Sequence, residues 1–231
     1  MRISNRRRRR ALGAFIRKQA LVTSAAKCAR EGVFRRTELM ILRDQKYKTA
    51  AFLFMIGTSA CVARGDVMNL TFQNVSPGSN VTYSLDAGQT TRNTTAGVMN
   101  WDGGYETFCV QLEEYVSGGS TYIYDVVDVA EVPDADPGAM GAFRASLIED
   151  LYARNYADID TAVEAAAFQM SIWEIVHEVG TNGNDLVFSD LDLGSGMARF
   201  STNANDVLGI ASGFLSGLGE GSGAYLAFGG L

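Results

Sequence analysis

From Asp66 onward the chain alternates first and then changes period. Asp66–Asn74 and Asn80–Leu85 carry alternating or β-branched residues on either side of the turn cluster Ser76-Pro77-Gly78, which predicts two strands. Beyond Gly103-Gly104 the segments Tyr105–Glu113 (YETFCVQLE) and Thr121–Val132 (TYIYDVVDVAEV) alternate as well. They predict two antiparallel strands, the first with Cys109 at its middle, the second with Tyr122, Tyr124, Val126 and Val127 at inner or half-buried positions.

Helical spacing then takes over. Asp136-Pro137 opens a segment in which Met140, Phe143, Leu147, Leu151 and Arg154 recur every three or four residues. A second helix is expected over Thr161–Glu178, because Thr161 and Glu164 form a capping box and Gly180 is placed to end it. Ala162, Ala166, Gln169, Trp173 and Val176 fall on one stripe of that helix. A third helix over about Asp206–Leu218, a Gly-rich stretch and a short strand at Ala224–Phe228 complete the pattern, with no internal repeat. The fold class expected is α+β: an antiparallel β-sandwich or curved β-sheet with a packed helical lobe.

Charge divides the chain. Of 231 residues, 1–65 hold 16 of the 20 Lys and Arg but 3 of the 26 Asp and Glu, leaving 4 − 23 = −19 from Asp66 onward. A body this acidic repels phosphate backbones, so no nucleic-acid partner is expected, and a monomer is expected. From Met40 the order is basic residues (Arg43, Lys46, Lys48), an apolar run Thr49–Ile56, small residues and Ala63-Arg64-Gly65. That is the layout of a secretory signal over 40–65 with cleavage after Gly65, too short in its apolar run to span a bilayer. Residues 1–39, with Arg6 to Arg10, are read as a basic extension ahead of the true start, and 66–231 as the exported domain. Thr58-Ser59-Ala60-Cys61 resembles a bacterial lipoprotein box, with Thr58 where Leu is usual, so lipidation at Cys61 is the alternative to ordinary cleavage. Either route places the protein at the cell surface or outside the cell.

Export makes the cysteines informative. Removal of 1–65 leaves Cys109, which has no partner for an internal disulfide. It is either a small buried apolar side chain or a reactive group. Gln169 is the odd member of its stripe, a polar amide among alanines on the face the helix should bury, where it needs hydrogen-bond partners.

Phe108-Cys109-Val110 on a strand, followed by Phe168-Gln169-Met170-Ser171-Ile172-Trp173 on a helix, resembles the thioester domains of bacterial surface adhesins. The resemblance covers roughly Val67 to Leu218, with Phe168 where the family often has Thr and Ser171 where it often has Ala. It implies an internal thioester between Cys109 and Gln169, formed with loss of ammonia, and a single-use covalent binder in place of a turnover enzyme. Phe108 and Trp173 are then the shield that keeps the bond dry. The targets implied are a foreign protein lysine or a polysaccharide hydroxyl; the body itself contains no lysine and offers the bond no ε-amine of its own. No cofactor and no metal are implied.

Two rival readings stand beside this one. The first is a non-covalent structural or carbohydrate-binding surface sandwich with Cys109 as a buried thiol. The second is a cysteine hydrolase pairing Cys109 with His177, the sole histidine, which lies eight residues beyond Gln169 and about 80° around the helix. An alternative for His177 is a favourable contact with the helix C-terminus. Asp185, Asp190 and Asp192 with Asn182 and Asn184 match no EF-hand spacing and read as a solvated turn. The sequons at Asn69, Asn74, Asn80 and Asn93 matter only where exported proteins are glycosylated.

Overall fold

A computed structural model describes residues 40–44, 52–56, 67–133, 137–181 and 185–219 of the chain. The basic extension, the cleavage site at Gly65, Cys61, Asn182, Asn184 and the expected strand at Ala224–Phe228 lie outside the described residues.

Seven described strands pair antiparallel: β1 (Met40–Asp44), β2 (Phe52–Ile56), β3 (Val67–Ser84), β4 (Arg92–Trp101), β5 (Glu106–Cys109), β6 (Thr121–Asp128) and β7 (Arg199–Ser201). Three helices, α1 (Gly141–Asn155), α2 (Ala162–His177) and α3 (Val207–Ser216), fall within the three segments where helical spacing or caps predict them. The chain is thus α+β, and β3 to β7 make a curved open sheet instead of a sandwich. β1 and β2, which fall inside the segment read as an export signal, pair with each other, with β6 and with β5.

The Ser76-Pro77-Gly78 cluster does not turn the chain. It sits within one 18-residue strand, β3, as an irregularity that shifts register against β4 between Val75 and Gly78. Gly78 and Gly97 face each other there, and a Cβ on Gly97 would lie 2.3 Å from the Pro77 carbonyl oxygen and 2.5 Å from Gly78 Cα. The backbones approach so closely that side chains are excluded, which lets a Pro-Gly bulge stay in the sheet. β4 itself has no clear alternation, because both its faces are covered: Ala96 and Val98 join the core under the helices, while Met99 and Trp101 are buried outside that cluster. Trp101 meets Phe72 and Tyr124 edge-on at 5.3 and 5.6 Å and donates from its indole nitrogen to Thr107 Oγ1 at 2.9 Å.

Helix α2 is the centre of the helical lobe. Every residue from Ala165 to His177 is buried, and the helix packs against β3, β4, α1 and α3. A helix apolar nearly all round has no solvent face to give away. Its start is the expected capping box, Thr161 Oγ1 accepting from the Glu164 N–H at 3.2 Å and Glu164 Oε2 from the Thr161 N–H at 2.9 Å. The first helix begins at Gly141, later than its Asp136-Pro137 signal. Phe143 and Arg154 leave the expected inner stripe: Phe143 is 39 % exposed against Phe188, and Arg154 pairs on the surface with Asp150 at 2.7 Å.

These features set a pair of stability tests. Gly97→Ala is expected to cost about 1 to 3 kcal/mol, since neither backbone at the close approach can give way. Thr161→Ala is expected to cost about 1 kcal/mol through the lost cap. Urea unfolding of both variants checks the order; equal stability of Gly97→Ala and the parent would refute the close-approach account.

Candidate functional site

Strand β5 delivers Cys109 to the helical lobe at its C-terminal end. Phe108, fully buried, points at the helices and packs against Phe168 with ring centroids 4.8 Å apart, and against Tyr156 at 6.3 Å. Phe108 and Phe168 each immediately precede one of the two candidate reactive residues, so their contact fixes the register between strand and helix. Cys109 is the last residue of β5, not its middle as the alternation of Tyr105–Glu113 suggests. The chain leaves the sheet there because the place of a strand partner is taken by a side chain.

That side chain is Gln169, 1 % exposed on α2. Its Oε1 accepts from the Cys109 N–H at 2.8 Å and its Nε2 donates to the Cys109 carbonyl at 2.5 Å. A glutamine amide thus reads the backbone of one strand residue as a neighbouring strand would, satisfying both halves of the buried amide. The Cys109 thiol donates to the Gln111 carbonyl at 2.9 Å. Burial pushes the thiol up to about 11, with the Gln111 contact and the Trp173 side chain pulling the other way and Glu114 adding to the rise. The thiol of this half-buried residue is therefore held protonated, while its backbone carries the Gln169 amide.

Trp173, one helical turn beyond Gln169, is 3 % exposed and stacks on Phe200 with ring planes 9° apart. Its indole nitrogen acts on the Cys109 thiol but has no partner in hydrogen-bond geometry. His177 lies at the same junction, its ring bonded to the Val110 backbone, and burial drives it down to about 4, with Arg144 adding to the fall. It is neutral at physiological pH, which removes the favourable charge contact expected at the helix end. Cys109, Gln169, Phe108, Trp173 and His177 therefore all meet where β5 abuts α2.

The end of α2 holds a polar cluster that the apolar pattern concealed. Arg144 of α1 donates to the carbonyls of Ile175, Val176 (3.1 Å) and Glu178 (2.7 Å), closing the last turn of α2 with one half-buried guanidinium. Glu178, 2 % exposed, accepts from the N–H groups of Val179, Met197 and Ala198 at 2.8, 3.1 and 3.2 Å. A Cβ on Gly196 would lie 2.1 Å from that carboxylate, so only glycine fits. Glu174, fully buried, accepts from the Asp192 N–H at 2.8 Å through one oxygen while the other has no partner. Burial first, then the neighbouring Glu178 charge, pushes Glu174 up to about 8. The sequence signal for this cluster was present in Glu174 and Glu178, two acidic residues in an otherwise apolar helix run, but it carries no indication of what faces them.

Among the described residues no group of three or more His, Cys, Asp or Glu is arranged to hold a metal ion. Asp190 accepts from the Val187 N–H at 2.9 Å and Asp192 from the Gly194 N–H at 3.0 Å, so these carboxylates cap local turns. Comparison of the chain with protein-family models, with curated proteins and with solved structures gives no match.

The cluster predicts a pH dependence. A carboxyl raised from 4.5 to about 8 in the folded state favours folding while protonated, so its contribution falls as pH climbs between those values. His177, lowered from 6.5 to about 4, works with the opposite sign below 6.5 and offsets Glu174 there. Stability should therefore drop from about pH 6.5 to 8, by on the order of 1 kcal/mol per pH unit. Glu174→Gln should flatten that slope in thermal unfolding; an unchanged slope would show that Glu174 is not its source.

Proposed function

We propose that Cys109 and Gln169 form an internal thioester and that the exported domain uses it once, to capture an amine or hydroxyl on a foreign surface. The observation that carries this reading is the two-way hydrogen bonding of the Gln169 amide to the Cys109 backbone at 2.8 and 2.5 Å. It holds the amide carbon beside the residue that bears the nucleophile, which is the effective concentration such a bond requires.

The parts then have roles. The Cys109 sulfur adds to the Gln169 amide carbon, the Cys109 N–H supports the negative charge developing on Oε1, and the nitrogen held by the Cys109 carbonyl leaves as ammonia with the thiol proton. The product is an acyl–sulfur bond lacking amide resonance, an electrophile stored behind Phe108, Phe168 and Trp173. An incoming amine attacks the acyl carbon, the carbon–sulfur bond breaks, the sulfur recovers a proton from the amine, and an amide remains. Export of 66–231 leaves a domain without lysine, so copies do not consume one another.

A hydrolase pairing of Cys109 with His177 finds less support. Cysteine hydrolases draw on a thiolate stabilised by a charged imidazole. Here the thiol is raised to about 11 and the imidazole lowered to about 4, which favours two neutral groups.

Intact mass spectrometry of the native chain and its Cys109→Ala variant, with and without methylamine, tests the proposal. The expected native mass is short by one ammonia and rises by one methylamine on treatment, with the adduct at Gln169 and neither change in the variant. A full native mass together with a freely alkylated Cys109 would overturn it and leave a non-covalent surface domain.

A further inference from the structure

The edge of β5 turned away from β4 is covered by β2. Leu53 lies opposite Cys109, Phe54 opposite Phe108 and Met55 opposite Thr107. β1 continues from β2 to β6. The pairings therefore run in a circuit, β3–β4–β5–β2–β1–β6–β3, in which the β1–β2 hairpin is the piece joining β5 to β6. Both its strands lie within 40–65, the segment expected to be removed on export. A processed chain keeps β5 and β6 but loses what covered their edges. Free strand edges present rows of unpaired N–H and C=O groups that accept an extended peptide as an added strand.

Register makes the β5 edge more than a sticky border. Directly opposed residues of an antiparallel pair project to the same face, with Cβ atoms about 4.5–5.5 Å apart. The Cys109 N–H is committed to Gln169 Oε1, so it is not available to the strand on the other edge. Cys109 and the residue facing it thus form a non-hydrogen-bonded pair, the kind that brings opposed residues closest, about 4.5 Å between Cα atoms. A long side chain carried by a strand residue in the register of residue 53 projects to the same face of the sheet as that of Cys109.

We infer that the β5 edge, vacated on processing, is where the target docks: an extended segment of a foreign protein adds as an antiparallel strand in the place of β2 and presents a lysine opposite Cys109. This rests on the thioester and export readings above and names their substrate class. Strand addition needs backbone donors and acceptors at peptide spacing, which selects protein over polysaccharide. The net charge of −19 from Asp66 onward draws lysine-bearing segments toward the site. β5 is only four residues long, so the added strand is held weakly until the amide forms. In that step the lysine nitrogen bonds to the Gln169 acyl carbon, the carbon–sulfur bond breaks, and the Cys109 thiol takes the proton the amine gives up.

The full chain, with its hairpin in place, tests the register without a partner. Leu53→Lys puts an amine opposite Cys109, Met55→Lys puts one on the same face two residues away, and Phe54→Lys puts one on the other face. The expected result for Leu53→Lys is a mass short by one ammonia, complete loss of methylamine uptake, a freely alkylated Cys109, and a branched peptide joining position 53 to Gln169. Met55→Lys should cross-link in lower yield and Phe54→Lys should keep the methylamine uptake of the parent. If Leu53→Lys does not fold, the contrast between Met55→Lys and Phe54→Lys decides. Methylamine uptake by the parent with no difference among the variants overturns the docking inference while leaving the thioester; a parent without methylamine uptake overturns both. The mass of the exported protein supplies the remaining condition: a start at or beyond Asp66 supports the vacated edge, and retention of 40–56 overturns it.

Discussion

The paired hydrogen bonds between the Gln169 amide and the backbone of Cys109 are the contact on which the arrangement of the site depends. A buried amide with an unmet donor or acceptor costs about 1–3 kcal/mol, so Gln169 is tolerable on the buried face of α2 only where a strand end supplies both partners. The same contact ends β5, since the backbone groups that would continue the ladder are spent on a side chain. Strand end, helix position and thiol location are therefore one solution to one hydrogen-bonding problem.

That solution needs α2 to be held rigidly at both ends. The capping box closes its first turn with groups from its own sequence, whereas its last turn is closed from outside by Arg144 and the carboxylate of Glu178 is seated on a loop that passes at Gly196. Burying this much charge is costly, and Glu174 bears part of the cost by remaining protonated near neutrality. The aromatic contact of Phe108 with Phe168 completes the clamp, fixing how far the strand slides along the helix.

The sheet contributes in a different way. Its two faces carry separate apolar layers, one under the helices and one around Trp101, so β3 and β4 are protected on both sides. β5 is short and is bounded by β4 on one edge and by the β1–β2 hairpin on the other. Cys109, at the end of this strand, therefore sits where the sheet, the hairpin and the helical lobe come together.

Much of this was readable along the chain, and the boundary is physical. Local signals determined what local forces decide: the strand-to-helix change of period, the capping box at Thr161 and Glu164, and the anomaly of a glutamine beside alanines and a tryptophan. Ser76-Pro77-Gly78 misled because Pro and Gly mark a bulge as readily as a turn, and only the facing Gly97 distinguishes the two. β4 gave no period because both of its faces are covered, and the apolar run at 49–56 carries the same composition whether it serves as an export signal or as a strand. The sequence by itself singled out Cys109, the lone cysteine of the body, and Gln169, the one amide of an apolar stripe, since residue type and local context are read along the chain. Only the tertiary structure decided that they meet across 60 residues, that Arg144 closes the helix beside them, and that Leu53 is in register with Cys109, because contacts between distant segments are set by packing and register.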